Sequence, residues 1–334
     1  MNKYAIRLTA IAAITALCLA VHAGAQPKPQ AVLEQVQQHL SEKQPGKAVN
    51  KAEKAISQYE SAQQALQVRL RVTRLVLDHY LQLGNGKKAV QTAVENLVQK
   101  TPGEARESAY LMGGRVHIFI NEYKAAHQTL TEYLDEFPRP SKKQLEEYAD
   151  KKGQDTAEAA RQHPRLVRRQ LAREMLGRLS MMGEKIPPFQ VTNLSGEVVS
   201  RKDLTGSPAV LIFWRASPQK PAEWIKLMAQ VYNEYNSRGL RIIGLSVNSD
   251  KTKLTSFLEQ NNLPWSNVFL GGRREEICRK FGILTLYPAS VLIDSEGVIR
   301  GVDLKGAALG QQVRELLRGE GRSGGQQSKS LTTR

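Results

Sequence analysis

The stretch Pro208–Trp224, PAVLIFWRASPQKPAEW, decides how the C-terminal part of the chain folds. Its first part, Ala209–Trp214, is a continuous apolar run, which is typical of a strand buried on both faces. Ser217 and Pro218 then predict the start of a helix, because serine is a favoured N-cap and proline suits the first helical position. The helix is expected to stop at Gly239. A buried strand that leads into a helix N-terminus gathers free backbone N–H groups, and these favour anions, thiolates included.

Apolar runs and turn signals continue on both sides of this stretch. The other predicted elements, in chain order, are a hairpin of Gln190–Leu194 and Val198–Ser200, a strand at Leu240–Val247, a helix capped by Ser249 and ending near Asn261, a short strand at Val268–Leu270, a helix at Arg273–Phe281, a hairpin of Ala289–Asp294 and Gly297–Val302, and a closing helix at Ala307–Leu317. The last segment, 319–334, is rich in Gly, Ser and Gln, and its composition predicts disorder.

Residues 184–318 resemble the redoxin branch of the thioredoxin superfamily, especially the TlpA-like and ResA-like exported thiol-disulfide oxidoreductases. That family reads F-W-A-x-W-C-x-x-C at the turn, and Phe213 and Trp214 match its start. Pro187-Pro188-Phe189 is similar to the family's entry segment, and Glu223 corresponds to an acidic residue on its helix. The resemblance implies a thioredoxin-like α/β domain.

The turn itself departs from the family. The two family cysteines fall on Pro218 and Pro221. The Trp that directly precedes the first of these cysteines in the family motif falls on Ser217. A peroxiredoxin-style alignment puts Lys220 where that family's peroxidatic cysteine belongs. Neither alignment supplies a thiol, so we expect a degenerate redox turn without a catalytic residue. The resemblance gives no reason to expect a cofactor.

A second feature of the resemblance is the pair Tyr287-Pro288. It stands where thioredoxin-like proteins keep a cis-proline that faces the active turn, and in that family the backbone just before the proline pairs with extended substrate. The resemblance therefore implies a cis bond here and a binding role for Tyr287 and Pro288, together with Trp214. The alternative is a turn that only defines the fold.

The beginning of the chain reads as a secretory signal. Two basic residues precede the apolar run Leu8–Val21, and Ala23-Gly24-Ala25 is an A-x-A cleavage site. The run is short for a transmembrane helix. We therefore expect residues 1–25 to be removed and the mature protein to be exported, periplasmic or secreted.

The chain has two cysteines, Cys18 in the signal segment and Cys278. Export would leave Cys278 as the one thiol, so an intramolecular disulfide is excluded. One interpretation is a buried, inert cysteine. The alternative is a reactive thiol whose pKa is lowered by nearby basic residues, which are Arg273, Arg274, Arg279 and Lys280.

Residues 26–138 carry the pattern of helical hairpins. The predicted helices are Leu70–Leu83, Lys87–Lys100, Glu107–Ile120 and Glu122–Phe137, and Gln30–Tyr59 forms a degenerate earlier hairpin. Corresponding small and proline positions, Ala89 with Ala125 and Pro102 with Pro138, are 36 residues apart. This spacing is similar to the tetratricopeptide repeat, whose period is about 34 residues. Such arrays present a concave face to a partner; the alternative is a helical spacer.

A charged segment, 139–183, is predicted as a helical linker between the two domains. Arginines gather in its second half, and three of them share one face of a predicted helix: Arg161, Arg165 and Arg168. This face is a candidate contact for an anionic envelope surface. The alternative is an ordinary solvated face.

The whole sequence narrows the function classes. At 334 residues it accommodates two domains. The net charge of +16 is spread along the chain and aromatic residues make up 6%, which argues against nucleic-acid binding. No His, Cys, Asp or Glu group has metal-ligand spacing. We therefore expect an exported, non-catalytic module that binds a protein or peptide. The rival is a thiol-disulfide oxidoreductase or peroxiredoxin-like protein that works through Cys278.

Overall fold

A computed structural model of the chain describes residues 26–216, 223–271, 274–285 and 287–327. The chain divides into two compact units, with the division between Pro138 and Arg139. The predicted signal segment, 1–25, lies outside the described residues. None of the described helices is both long enough and apolar enough to cross a membrane.

The first unit is helical throughout its described part. Its helices are α1 (Pro29–Ser41), α2 (Pro45–Ile56), α3 (Ala62–Leu83), α4 (Lys87–Gln99), α5 (Ala105–Phe119) and α6 (Tyr123–Glu136). The predicted all-α character is therefore confirmed, although α3 is longer than expected. Ser61 caps it by accepting a hydrogen bond from the N–H of Gln64 at 3.2 Å, and Gly84 ends it with a φ of +71°.

Close approach between helices explains two neighbouring glycines of α5. A Cβ on Gly113 would lie 2.9 Å from Val98, and a Cβ on Gly114 would lie 2.7 Å from Leu130. Real Cβ atoms do not come this close, because a packed interior has no room to yield. The helices α4 and α6 can therefore pack against α5 only because these positions have no side chain.

The second unit begins with three helices in the segment predicted to be a linker. These are α7 (Lys142–Lys152), α8 (Thr156–Gln162) and α9 (Pro164–Leu179). Between α8 and α9 the backbone of His163 is extended, with φ −60° and ψ 120°. Arg161 therefore lies on a different helix from Arg165 and Arg168, which corrects the expectation of one shared helical face. The segment belongs to the same compact unit as the sheet that follows.

The sheet domain alternates strands and helices. Its elements are β1 (Gln190–Thr192), β2 (Val198–Ser200), β3 (Ala209–Trp214), α10 (Glu223–Tyr235), β4 (Arg241–Ser246), α11 (Lys251–Asn261), β5 (Ser266–Phe269), α12 (Arg274–Lys280), β6 (Ala289–Ile293), β7 (Ile299–Val302) and α13 (Gly306–Gln327). The main sheet has the order β5-β4-β3-β6-β7, with β3, β4 and β5 parallel and β6 and β7 antiparallel to their neighbours. This is a thioredoxin-like mixed sheet, as predicted.

The central strand β3 is buried along its whole length, which is why its sequence is apolar without alternation. It lies between β4 and β6, and helices α10 and α13 pack against each other. After α10, a short 3₁₀ turn runs to Arg238 and Gly239 stops it with a φ of +98°.

Two details differ from the sequence prediction. The cap of α11 is Asp250, whose side chain accepts from the N–H groups of Thr252 and Lys253, and not Ser249. The closing helix α13 continues to Gln327, so the glycine-rich segment 319–327 is helical where disorder was predicted. The remaining residues, 328–334, lie outside the described part of the chain.

Candidate functional site

The chain leaves β3 at its C-terminal end through Arg215 and Ala216, and a buried asparagine fixes this exit. Asn248 Oδ1 accepts a hydrogen bond from the Ala216 N–H at 2.9 Å, and Asn248 Nδ2 donates to the Ala216 carbonyl at 3.4 Å. The hydroxyl of Ser246 donates to the same Oδ1 at 2.8 Å. Asn248 follows β4, which runs parallel to β3. The C-terminal ends of the two strands therefore lie side by side, and the Asn248 side chain reaches Ala216. One side chain, Asn248, thus binds both the N–H and the carbonyl of the residue before the predicted redox turn.

The predicted redox turn follows directly. Its residues, which include Ser217, Pro218, Lys220 and Pro221, lie outside the described residues, as do the side chains of Glu223 and Arg274. The described chain resumes at the start of α10, where Trp224 is half-buried.

The loop before β6 lies beside the C-terminal end of β3. The antiparallel register places Ala289 opposite Phe213, so Pro288 comes next to the end of β3. The Tyr287–Pro288 peptide bond is cis. The guanidinium carbon of Arg215 lies 6.0 Å from the centroid of the Tyr287 ring, which is the outer range of a cation–π contact. The Tyr287 hydroxyl donates to the carbonyl of Leu284 at 3.0 Å.

These residues enclose an open groove of about 420 Å³, which we call the Tyr287 groove. It is lined by Arg215, Trp224, Leu284, Thr285, Tyr287 and Pro288. Its described lining residues combine one cation with aromatic and aliphatic surface. Such a lining binds a ligand by apolar contact and orients it through a few polar groups.

Of the three predicted binding residues, the structure brings Tyr287 and Pro288 into the groove but not Trp214. Trp214 is 0% exposed. Its ring lies 5.7 Å from that of Trp224 and 5.6 Å from that of Phe257, measured between centroids. As the last residue of a strand covered on both faces, it supports Trp224 from the core. Trp224 is the tryptophan that meets the groove.

Cys278, the alternative catalytic residue, lies on α12 and is 2% exposed. Ile277 on this helix and Phe281, which directly follows it, are also buried. Its Sγ lies 3.8 Å from the hydroxyl oxygen of Tyr287. The thiol is therefore close to the groove but is covered by Tyr287 and by its own helix.

A buried ionic network joins α9 to the loop that forms one wall of the groove. Glu174 accepts hydrogen bonds from the N–H groups of Leu284 and Thr285, at 3.1 Å each, and from the Thr285 hydroxyl at 2.5 Å. Arg178 donates to Asp303 at 2.7 Å and to the Gly282 carbonyl at 2.9 Å. The Nη1 atom of Arg178 also lies 3.8 Å from Oε2 of Glu174. The supposed linker therefore positions the groove.

The predicted anionic-surface residues do not form a common patch on one helix. Arg161 is exposed on α8 and pairs with Glu158 at 3.1 Å, whereas Arg165 and Arg168 are half-buried on α9. Within the described ranges, no group of three or more His, Cys, Asp and Glu side chains comes together as a metal site would require.

Sequence reasoning missed Arg215, Leu284 and the two supporting side chains Glu174 and Asn248. A signal existed for two of them. Arg215 is a charge placed directly after a buried strand, and Leu284 is a large apolar residue between a helix-ending glycine and a proline. Glu174 gave no such signal, because a carboxylate on a charged helix is usually solvated.

Residues 182–302 match the model of the AhpC/TSA family. Among curated proteins, the thiol-disulfide oxidoreductase ResA of Bacillus thuringiensis subsp. konkukian is 28% identical over 137 residues, which cover 41% of this chain and 77% of that protein. ResA of Halalkalibacterium halodurans is 27% identical over 139 residues, covering 42% of this chain and 77% of its own.

Solved structures align over a similar share of the chain. The thioredoxin domain of a thiol-disulfide oxidoreductase from Bacteroides vulgatus is 23% identical, with a TM-score of 0.38, and the alignment covers 41% of this chain and 97% of that one. A thiol-disulfide oxidoreductase from Bacteroides fragilis is 27% identical, with a TM-score of 0.36, covering 40% of this chain and 99% of that one. The C-terminal region is therefore similar to AhpC/TSA redoxins and to ResA, which confirms the predicted resemblance.

Proposed function

We propose that this redoxin domain has lost its redox dithiol and serves as a non-catalytic binding module, with the Tyr287 groove as its peptide-binding surface. The observation that carries the proposal is the contrast between an open groove and a covered thiol. The groove holds about 420 Å³, whereas Cys278, the one cysteine in the described part of the chain, is 2% exposed.

Chemistry supports this separation. Thiol–disulfide exchange requires an accessible attacking thiolate, and release of the mixed disulfide requires a second thiol. The segment 217–222, SPQKPA, contains no cysteine. A substrate disulfide that reached the turn would therefore meet no nucleophile of the kind that the relatives' names imply.

The helical unit and the N-terminal segment complete the proposal. The hairpins of 26–138 act as a tetratricopeptide-like scaffold that presents a second surface to a protein partner. The basic start, apolar run and A-x-A site of residues 1–25 act as a signal peptide and direct the protein out of the cytoplasm, to the periplasm or the medium. An anionic envelope surface remains a second proposed partner for the region of Arg161, Arg165 and Arg168.

Reduction of insulin disulfides by dithiothreitol tests the loss of redox activity. The wild-type protein and the Cys278→Ser variant should both leave the uncatalysed rate unchanged. Turnover by wild type that the variant lacks would establish the rival function, and turnover by both would overturn the assignment of the degenerate turn.

The rival function rests on one observation, the 3.8 Å between Cys278 Sγ and the Tyr287 hydroxyl. If Tyr287 opens as a lid, the thiol becomes a single-cysteine redox centre at the floor of the groove. Alkylation of the native protein by iodoacetamide distinguishes the two functions. A binding module should react slowly and reach the rate of the unfolded chain only in denaturant, whereas a redox protein should react rapidly when folded.

A further inference from the structure

The Tyr287 groove contains a cation, Arg215, that forms no ion pair with a side chain in the described part of the chain. Arg215 is exposed, and no carboxylate oxygen of the described residues lies within 4.0 Å of its guanidinium group. Its position is set by the hydrogen bonds of Asn248 to the next residue, Ala216. Its guanidinium carbon lies 6.0 Å from the centroid of the Tyr287 ring. The Asn248 hydrogen bonds fix the backbone beside Arg215, and its guanidinium presents N–H donors in a planar fork that matches the geometry of a carboxylate.

Another part of the groove lining is apolar, and its loop is held by hydrogen bonds. Leu284 is 49% exposed although its backbone N–H is bound by the buried Glu174 and its carbonyl accepts from Tyr287. Trp224 adds half-buried aromatic surface. When a ligand's apolar side chain covers apolar area on an ordered loop, that area is removed from water, which favours binding.

We propose that the Tyr287 groove selects extended peptides in which an acidic side chain stands two residues from a large apolar one. The acid binds Arg215 and the apolar side chain covers Leu284 and Trp224. A spacing of two residues places both side chains on the same side of an extended peptide. This inference rests on the proposed function, since it specifies which peptides the same groove takes.

Fluorescence anisotropy with a fluorescein-labelled peptide Gly-Ser-Glu-Ser-Leu-Ser-Gly tests the selection, with the whole chain as the binding protein. Replacing the peptide's Glu by Gln should weaken binding about fivefold, the upper value for an exposed ion pair. Arg215→Gln should weaken binding of the acidic peptide by the same factor and leave the neutral peptide unaffected. The two changes together should cost no more than either alone, and Arg215→Lys should restore most of the loss.

Arg238 provides a matched control. It is exposed and its guanidinium carbon lies 5.5 Å from the Tyr235 ring centroid, but it precedes β4 and so lies at the opposite end of the strands from Arg215. Arg238→Gln removes the same charge from a protein of net charge +16. It should leave the affinity for the acidic peptide unchanged. An equal loss in both variants would show general attraction by a basic protein and would overturn the proposal.

The apolar half is tested by Leu284→Ser, which should weaken both peptides at least fivefold while Arg215 still discriminates between them. Circular dichroism spectra matching wild type show that the variants are folded. Equal binding of acidic and neutral peptides to wild type would refute the selection but leave the binding function standing. Absence of binding by either peptide at millimolar concentration would overturn both.

Discussion

Replacing Glu174 by alanine tests whether α9 positions the wall of the Tyr287 groove. The carboxylate of Glu174 is 4% exposed and accepts from the backbone N–H groups of Leu284 and Thr285 and from the Thr285 hydroxyl. These partners lie 110 and 111 residues further along the chain. The change therefore removes a long-range contact without touching the groove itself.

The expected loss follows from the bonds removed. Hydrogen bonds to a charged acceptor contribute about 1.5–3 kcal/mol each, but Leu284 and Thr285 are partly exposed and water can replace some of the loss. Arg178 keeps Asp303 at 2.7 Å and the Gly282 carbonyl at 2.9 Å, so no buried charge is left alone. We expect the free energy of unfolding to fall by about 3 kcal/mol, the lower end of the range for breaking a buried ionic contact.

Urea unfolding followed by tryptophan fluorescence measures this loss. All three tryptophans of the chain, Trp214, Trp224 and Trp265, belong to the second unit, so the signal reports that unit alone. Hydrogen–deuterium exchange adds a local readout, because the amides of Leu284 and Thr285 should exchange faster in Glu174→Ala while those of β3 stay protected.

Two variants frame the result. Thr285→Val removes only the hydroxyl bond and should cost about 1 kcal/mol. Glu158→Ala removes a carboxylate from the exposed Arg161 pair on α8 and should cost no more than about 0.5 kcal/mol. If Glu174→Ala costs less than 1 kcal/mol and leaves the exchange of Leu284 and Thr285 unchanged, then α9 does not hold the groove wall.

Three further predictions concern packing, pH and the β3 exit. Gly244→Ala should destabilise the second unit by about 2 kcal/mol, because the added Cβ would overlap Asn267 Oδ1 and lie 2.9 Å from Trp214 Nε1. Gly310→Ala should stabilise α13 by about 0.5–1 kcal/mol, because its nearest neighbours are the side chains of Tyr235 and Val231 at 3.8 Å. Burial lowers the pKa of His117 below 6.5, so the unfolded chain binds the proton first and the helical unit should lose stability as pH falls below about 6.5. Thermal unfolding by circular dichroism from pH 8 to 5 measures this loss, which His117→Leu should abolish. Asn248→Ala leaves buried donors without an acceptor and should cost about 2 kcal/mol in the same urea titration.

Each of these has a clear contrary result. Equal effects of the two glycine substitutions would show that the sheet at Gly244 has room to relax. A pH dependence unchanged by His117→Leu would assign it to another group. A neutral Asn248→Ala would mean that water replaces the amide at the end of β3.

The helix and strand pattern was largely predictable because it depends on neighbouring residues. The apolar run of β3, the glycine stops at Gly84 and Gly239, and the hairpin periodicity are each local in the chain. One expectation drawn from local composition differs from the structure. Glycine-rich composition after residue 318 predicted disorder, whereas the backbone hydrogen bonds of α13 continue to Gln327.

The candidate site was only partly predictable. Tyr287 and Pro288 came from a family motif, and they line the groove. Trp214 came from the same motif but is buried. The motif did not predict this, because it gives the order of residues along the chain and not the direction in which a side chain points. Tyr287 meets Arg215, Leu284 and Trp224 only when the C-terminal end of β3, the loop before β6 and α10 are packed together.

The amino-acid sequence shows which chemical groups this protein has available. It predicts two domains and an α/β element pattern with a thioredoxin-like motif, and its turn SPQKPA contains no thiol. Which of these groups are exposed depends on how the chain is packed. The tertiary structure covered Cys278, left Arg215 open, and turned the charged helix α9 into a support for the groove through Glu174 and Arg178. The physical reason is that local propensity and periodicity act between near neighbours, whereas burial and ion pairing join residues more than 100 positions apart.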